Sequence, residues 1–169
     1  MRLDDLKFDK LKRFNIITGP GGIDSYHVKY DIENILIRTS NINIVKIDII
    51  DILCKNTLIY KSPNLIRKIK SNGLLILDDA LDVPTAEMRL DHQQDFFDDL
   101  FEKIRVLDAK VIITTENIDV IKNFCLSSTK TIHDDCAYFK LYEESDRWLV
   151  KEHSPKEVLY MIASGKEVR

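Results

Sequence analysis

A glycine-rich turn with the layout of a phosphate-binding loop follows the first apolar segment of the chain. Residues 14–18 read Phe-Asn-Ile-Ile-Thr and lead into a turn formed by Gly19, Pro20, Gly21 and Gly22. In the working loop, G-x-x-x-x-G-K-[ST], backbone N–H groups surround the phosphates, a lysine reaches the outer phosphates and a hydroxyl holds magnesium. The turn therefore has the backbone pattern of a nucleotide site.

The side chains of that motif are missing. Aligned on Gly19, the motif requires a glycine where Asp24 stands and a lysine where Ser25 stands, and no Lys or Arg occurs between Arg13 and Lys29. Asp24 is also placed to cap the helix that begins near Ser25, so its carboxylate would take the N–H groups that a phosphate uses. Its charge would repel a polyphosphate by about 1–4 kcal/mol. The sequence predicts a nucleotide scaffold without its nucleotide.

Two further apolar segments end in polar residues of the kind that such a site would use. Leu74–Leu77 runs into two acids, and residues 111–115 run into a Thr-Glu-Asn sequence. The carboxyl ends of parallel strands meet at one edge of a sheet. The predicted vestigial site therefore comprises Gly19, Pro20, Gly21, Gly22, Asp24, Ser25, Asp78, Asp79, Thr115 and Asn117. In the plainer interpretation, the glycines form a tight turn and the acids cap a loop.

Hydrophobic periodicity predicts alternating strands and helices. Continuous or alternating apolar runs predict strands at 14–18, 42–50, 74–77, 111–115 and 137–142, with 148–150 extending or pairing with the last of these. Helical spacing predicts helices at 24–39, 64–70, 96–104, 118–124 and 155–163. Short links between these elements predict a three-layer α/β domain with a mainly parallel, five-stranded sheet.

Length and composition favour one domain of 169 residues. It divides into an N-terminal arm (1–13), a core (14–142) and a C-terminal strand and helix extension (143–169). A formal net charge of −3 gives no general attraction to nucleic acid or anionic membranes. Direct nucleic-acid contact would depend on a local basic run, which equally fits a solvated helix face, at Lys61, Arg67, Lys68 and Lys70.

Cysteine usage and hydropathy indicate a cytoplasmic protein. The three cysteines have no C-x-x-C spacing and are expected to be thiols, and no apolar run approaches the ~20 residues that span a bilayer. The run His133–Cys136 carries metal-ligating types, but no second Cys or His cluster completes a zinc site. We therefore expect no metal and interpret that run as a turn.

Three of these elements, taken in order, resemble the AAA+ class of P-loop ATPases. They are the Gly19 turn, Leu74–Asp79 in the place of the Walker B strand, and Val111–Asn117 in the place of sensor 1. Within the class, the stretch from Leu74 to Asn117 is similar to the DnaA family of replication initiators, with its Hda and DnaC-type relatives. The resemblance covers roughly residues 14 to 142 as a pattern of elements.

The resemblance implies roles that presuppose the missing lysine. Asp78 would bind magnesium, Asp79 would polarise the attacking water, and Thr115 or Asn117 would sense the γ-phosphate. The sequence also offers no full helical lid, no second sensor arginine and, between 118 and 136, no arginine finger. We therefore expect a P-loop NTPase-like fold (an AAA+ core) that has lost hydrolysis.

The leading hypothesis is a non-hydrolysing regulatory module that has no cofactor and binds protein partners, among them the replication machinery. An alternative is an unconventional NTPase that binds ATP or ADP with magnesium and recruits a lysine from elsewhere, such as Lys29 or Lys110. A third is an unrelated α/β interaction protein. The strand order discriminates, because the P-loop class places the Gly19 strand between the Asp79 strand and the terminal strand.

Overall fold

The computed structural model of the chain describes residues 2–19, 34, 42–48, 70–79, 90–131, 133–166 and 168. Most of the predicted helix at 24–39 lies outside these residues, although Asn34, within it, is helical. The predicted helix at 64–70 is also outside, apart from its last residue. Within the described part of the chain, no helix is long and apolar enough to cross a membrane.

Six strands form a single sheet in the order β2-β3-β4-β1-β5-β6. All neighbouring pairs are parallel except β5 and β6, which form an antiparallel hairpin. The prediction of five strands is therefore wrong by one, because 147–153 forms a full strand of its own. The strands are β1 (Phe14–Thr18), β2 (Ile44–Asp48), β3 (Leu74–Asp78), β4 (Lys110–Thr114), β5 (Cys136–Glu144) and β6 (Arg147–His153).

The central strands are apolar on both sides because both faces of the sheet are covered. Alternate side chains of each strand point to opposite faces, and the two faces belong to two separate clusters of buried residues. The first cluster includes Phe14, Ile16, Leu75, Leu77, Val111 and Ile113. The second includes Ile17, Leu74, Ile76, Ile112, Phe139 and Leu141. The α/β class and the mainly parallel sheet are those that the alternating pattern predicts.

Among the elements whose bounds the structure describes, three helices lie on the first face: α1 (Leu90–Val106), α2 (Ile118–Thr131) and α3 (Pro155–Ala163). The bounds of α3 match the prediction, whereas α2 continues past its predicted end at residue 124. Its polar continuation is not a surface turn, since Ser127 and Ser128 are buried and Ser128 Oγ donates to the carbonyl of Cys125 at 2.9 Å. Because this serine hydroxyl donates to a carbonyl of the preceding helical turn, the polar residues can remain within the helix.

The N-terminal arm covers the second face. It forms two 3-10 turns, Leu3–Asp5 and Phe8–Lys10, and its three leucines Leu3, Leu6 and Leu11 are buried in the second cluster. The predicted arm is thus part of the core. Covering this face removes apolar strand surface from water, which is the main stabilising contribution of such burial.

The chain turns back after α3 through a glycine. Gly165 has φ +67°, and the N–H groups of Gly165 and Lys166 donate to the carbonyls of Ile162 and Met161. This is the Schellman pattern, which favours glycine at the left-handed position. The turn brings Val168 back to the sheet, where it is buried against the first cluster.

Candidate functional site

The strand order places a topological switch point at the carboxyl ends of β1 and β4. The chain leaves β1 for β2 at one edge of the sheet, but it leaves β4 for β5 on the opposite side of β1. Adjacent strands whose connections run in opposite directions mark the place where ligands bind in open α/β sheets. Gly19 follows β1 here, and Thr115 follows β4.

Asp78 and Asp79 lie at the carboxyl end of β3, on the far side of β4 from β1. A threonine of β4 forms hydrogen bonds with both residues. Register places Asp78 opposite Thr114, whose Oγ1 donates to Asp78 Oδ1 at 2.6 Å. The same hydroxyl accepts the backbone N–H of Asp79 at 3.1 Å and lies 3.5 Å from Asp79 Oδ1. Asp79 has φ +49°, a left-handed conformation that Asp tolerates better than most residues. Thr114 therefore fixes the geometry of both acids.

A lysine of the neighbouring strand holds the other oxygen of Asp78. Lys46 Nζ lies 3.3 Å from Asp78 Oδ2, and the Asp78 side chain is only 16% exposed. Both carboxylate oxygens of Asp78 are thus engaged by protein groups, Oδ1 by a hydroxyl and Oδ2 by an ammonium. The Lys46 ammonium therefore already provides, next to Asp78, the positive charge that a metal ion would supply.

Thr115 and Asn117 build the start of α2. Thr115 Oγ1 accepts the backbone N–H of Asn117 at 3.0 Å, and Asn117 Oδ1 accepts the N–H of Asp119 at 2.9 Å. The second bond is an N-cap, the usual use of Asn immediately before a helix. Both polar side chains lie at the predicted edge of the sheet, where they satisfy backbone donors.

The end of β1 is enclosed by other parts of the chain. Thr18 Oγ1 lies 2.5 Å from the hydroxyl of Tyr138 and donates to the carbonyl of Val168 at 3.2 Å. Burial raises the pKa of the Tyr138 phenol to about 12, so it stays protonated. A Cβ on Gly19 would stand 3.2 Å from the Cβ of Leu141, a close approach that favours glycine. Pro20, Gly21, Gly22, Asp24 and Ser25 lie outside the described residues.

Lys110 does not supply the missing cation of the phosphate loop, because it begins β4 at the opposite end of the sheet. Its ammonium donates to the carbonyls of Phe8 and Leu11 at 2.8 and 2.7 Å, and it lies 4.4 Å from the centre of the Phe8 ring. Burial lowers the pKa of this ammonium. Lys110 therefore anchors the arm, and the alternative that recruits it for phosphate binding is wrong. Lys29 lies outside the described residues.

Metal and thiol chemistry find no support in the described part of the chain. No group of three or more His, Cys, Asp or Glu side chains within it could hold a metal ion. Residues 133–135 form a 3-10 turn, in agreement with the interpretation of that run as a turn. Cys125 and Cys136 are buried free thiols, and burial raises the pKa of both. Buried protonated thiols are inert as nucleophiles.

Sequence reasoning missed two members of this site, Lys46 and Thr18, and it placed Thr114 at this edge without giving it a role. Lys46 gave a weak signal, because Ile44, Lys46 and Asp48 alternate along one strand and must share a face. Only the pairing of β2 with β3 brings that face to Asp78.

Comparison with known proteins assigns the chain to no family. No protein-family model matches the sequence, and no curated protein matches it. The geometry of the site and the pattern of the sequence therefore carry the functional argument.

Replacing Thr114 by Val should lower the free energy of unfolding by about 1–3 kcal/mol, because the N–H of Asp79 and a carboxylate oxygen of Asp78 lose a shared partner. Urea denaturation measures the change. Thr114→Ser keeps the hydroxyl and should cost about 0.8 kcal/mol for the lost methyl group. Equal losses in the two variants would mean that the hydroxyl does not organise the acids.

Proposed function

We propose that this chain is a non-hydrolysing, AAA+-like binding and regulatory module that acts with protein partners in the initiation of DNA replication or its regulation. The fold is retained as a scaffold for interaction surfaces, while the nucleotide chemistry has been lost. The replication link depends on the resemblance of residues 74–117 to the DnaA family. The non-hydrolysing character depends on the acids of the site.

The observation that carries the proposal is the state of Asp78. Its two oxygens are held by Thr114 and Lys46, at 2.6 and 3.3 Å. A hydrolytic magnesium site needs this carboxylate to face the metal and the phosphates. The lysine of the phosphate loop is meanwhile absent from the sequence. Asp78 therefore serves the structure at the place where a hydrolase would use it for catalysis.

The sheet supports the P-loop-like part of the proposal. The Gly19 strand, β1, lies between β4 and β5, with the Asp79 strand, β3, immediately beyond β4. This order is compatible with the arrangement expected of the P-loop class. The antiparallel strand β6 extends the sheet beyond that arrangement.

The first experiment is a titration of the protein with ATP and with ADP, each with magnesium, up to millimolar concentration. We expect neither calorimetric heat nor a rise in melting temperature, because a ligand stabilises the folded state only if it binds that state. ATP hydrolysis that disappears in Asp79→Asn would contradict the proposal. It would favour the NTPase alternative.

A matched variant tests the scaffold itself. Asp24→Gly, Ser25→Lys and Tyr26→Thr together restore G-x-x-x-x-G-K-T starting at Gly19. If the scaffold is P-loop-like, the triple variant should gain ADP binding, and saturation at about 100 times the dissociation constant should add about 2.7 kcal/mol of stability. A folded triple variant that still binds no nucleotide would contradict the P-loop assignment. The single change Asp24→Gly serves as the control.

A further inference from the structure

One face of the β5–β6 hairpin combines cations with exposed apolar side chains. The register of the hairpin places its residues in levels, and alternate levels share a face. Beyond the buried Tyr138 and the half-buried His153 opposite it, this face carries the pairs Lys140 with Lys151, Tyr142 with Leu149, and Glu144 with Arg147. We call the four side chains of the first two of these levels the hairpin patch: Lys140, Tyr142, Leu149 and Lys151.

Two lysines stand directly opposite each other in this patch. Like charges at paired positions of an antiparallel ladder destabilise it, whereas opposite charges stabilise it. The neighbouring His153 experiences the resulting field, since its pKa is lowered by burial and by the charges of Lys151 and Lys140. Glu157 counters that effect in part, but its carboxylate also accepts from the N–H and hydroxyl of Ser154.

The next level of the patch is apolar and accessible. Tyr142 is 36% exposed and Leu149 is half-buried. Trp148, by contrast, lies on the other face and packs against the second cluster with the arm. Tyrosine is enriched among the residues that dominate protein interfaces. The patch therefore presents a cationic level directly followed by an apolar level.

We propose that the hairpin patch docks a short extended segment of a partner protein that carries a carboxylate next to an apolar side chain in alternate positions. Same-face side chains of an extended chain repeat about every 6.6 Å, which is also the spacing of alternate residues along the hairpin. The acid would meet Lys140 and Lys151, and the apolar side chain would meet Tyr142 and Leu149. The proposal does not depend on whether the carboxyl ends of β1 and β4 bind a nucleotide.

The surroundings favour a peptide over a long polyanion. The chain has a net charge of −3, and the exposed Glu144 follows the patch on the same face, whereas the exposed Glu143 and Glu152 belong to levels of the opposite face. A nucleic-acid strand would bring a continuous row of phosphates past Glu144, whereas one or two carboxylates fit the cationic level alone. Arg2 already bridges Leu149 at the edge of β6, so side chains on the face carry the recognition.

The test uses the full chain and a fluorescein-labelled peptide in which Glu and Leu alternate between Gly-Ser flanks. Fluorescence anisotropy should detect binding at low salt that weakens as salt is added. We expect Lys140→Ala with Lys151→Ala, and separately Tyr142→Ala, to weaken it at least fivefold. Lys10→Ala with Lys122→Ala, and Tyr160→Ala, remove exposed side chains elsewhere and should leave binding unchanged.

The variant Lys151→Glu tests whether peptide binding can be lost without a loss of stability. It converts the like-charge pair into an opposite-charge pair, so the melting temperature should rise by about 1–3 °C while peptide binding is lost. Three results would overturn the proposal: no binding by the wild type, an equal loss in the patch and control variants, or a peptide with Gln in place of Glu binding as well. A single-stranded oligonucleotide that binds more tightly than the peptide and depends on Lys140 and Lys151 would also overturn it, in favour of nucleic acid.

Discussion

Replacing Phe101 by Ala should lower the free energy of unfolding by about 3–5 kcal/mol, the usual cost of removing a buried phenyl ring. Phe101 is 1% exposed and joins α1 to the sheet and to α2. Its ring lies 4.4 Å from that of Phe14 and meets the ring of Phe124 edge-on at 5.4 Å. The cavity would weaken the packing of α1 against both β1 and α2. Chemical denaturation followed by circular dichroism measures the loss of unfolding free energy.

Two variants control this experiment. Phe101→Leu keeps most of the volume and should cost less than about 1.5 kcal/mol. Val106→Ala alters an apolar residue of the same helix that is 82% exposed, so its effect should stay within about 0.5 kcal/mol. If Phe101→Ala cost no more than Val106→Ala, the packing of α1 on the sheet would be incorrect.

Replacing Asn15 by Leu should cost about 2–4 kcal/mol and release the N-terminal arm. Asn15 is fully buried in β1, where its Nδ2 donates to the carbonyls of Lys12 and Val111 at 2.8 and 2.9 Å and its Oδ1 accepts the N–H of Lys12 at 2.9 Å. Leucine fills the space but leaves these backbone groups without their partner, at about 1–3 kcal/mol for each unsatisfied group.

Limited trypsin digestion reports on the arm itself, because Lys12 and Arg13 are cleavage sites next to Asn15. Cleavage there should be several times faster in Asn15→Leu, since proteolysis follows local opening. Ile17→Val removes one methyl group two residues further along β1 and should cost only about 0.5–1.5 kcal/mol. Faster cleavage in Ile17→Val than in Asn15→Leu would show that general destabilisation, and not the loss of the Asn15 bonds, frees the arm.

Local sequence patterns predicted the features that depend on residues close together in the sequence, such as the buried face of a helix and its ends. The helical spacing of Phe96, Phe97, Leu100, Phe101 and Ile104 predicted the buried face of α1. The four of these whose side chains the structure describes, Phe97, Leu100, Phe101 and Ile104, are buried. Capping residues explain why the predicted bounds of α3 are correct: Ser154 and Glu157 form a capping box around Pro155.

The features that the sequence could not predict depend on contacts between segments that are distant in the sequence. Parallel-strand geometry was enough to expect Asp78, Asp79, Thr115 and Asn117 at one edge of the sheet, and the described structure places them there. It could not predict that Lys46 would neutralise Asp78, because that contact depends on which strand lies beside β3. Asn15 gave no signal at all, since its role depends on the arm returning to the amino end of β1.

The strand order also determines when this protein can fold during synthesis. Phe14, in the first strand to be made, pairs with Val111 and Cys136, which follow it by about a hundred residues or more. At a translation rate of about 5–20 residues per second, β1 must wait on the order of 6–24 s for both neighbours. Its apolar side chains are without those neighbours throughout that interval. The pairing of β1 with both neighbours therefore cannot be completed in the nascent chain before β5 has been made.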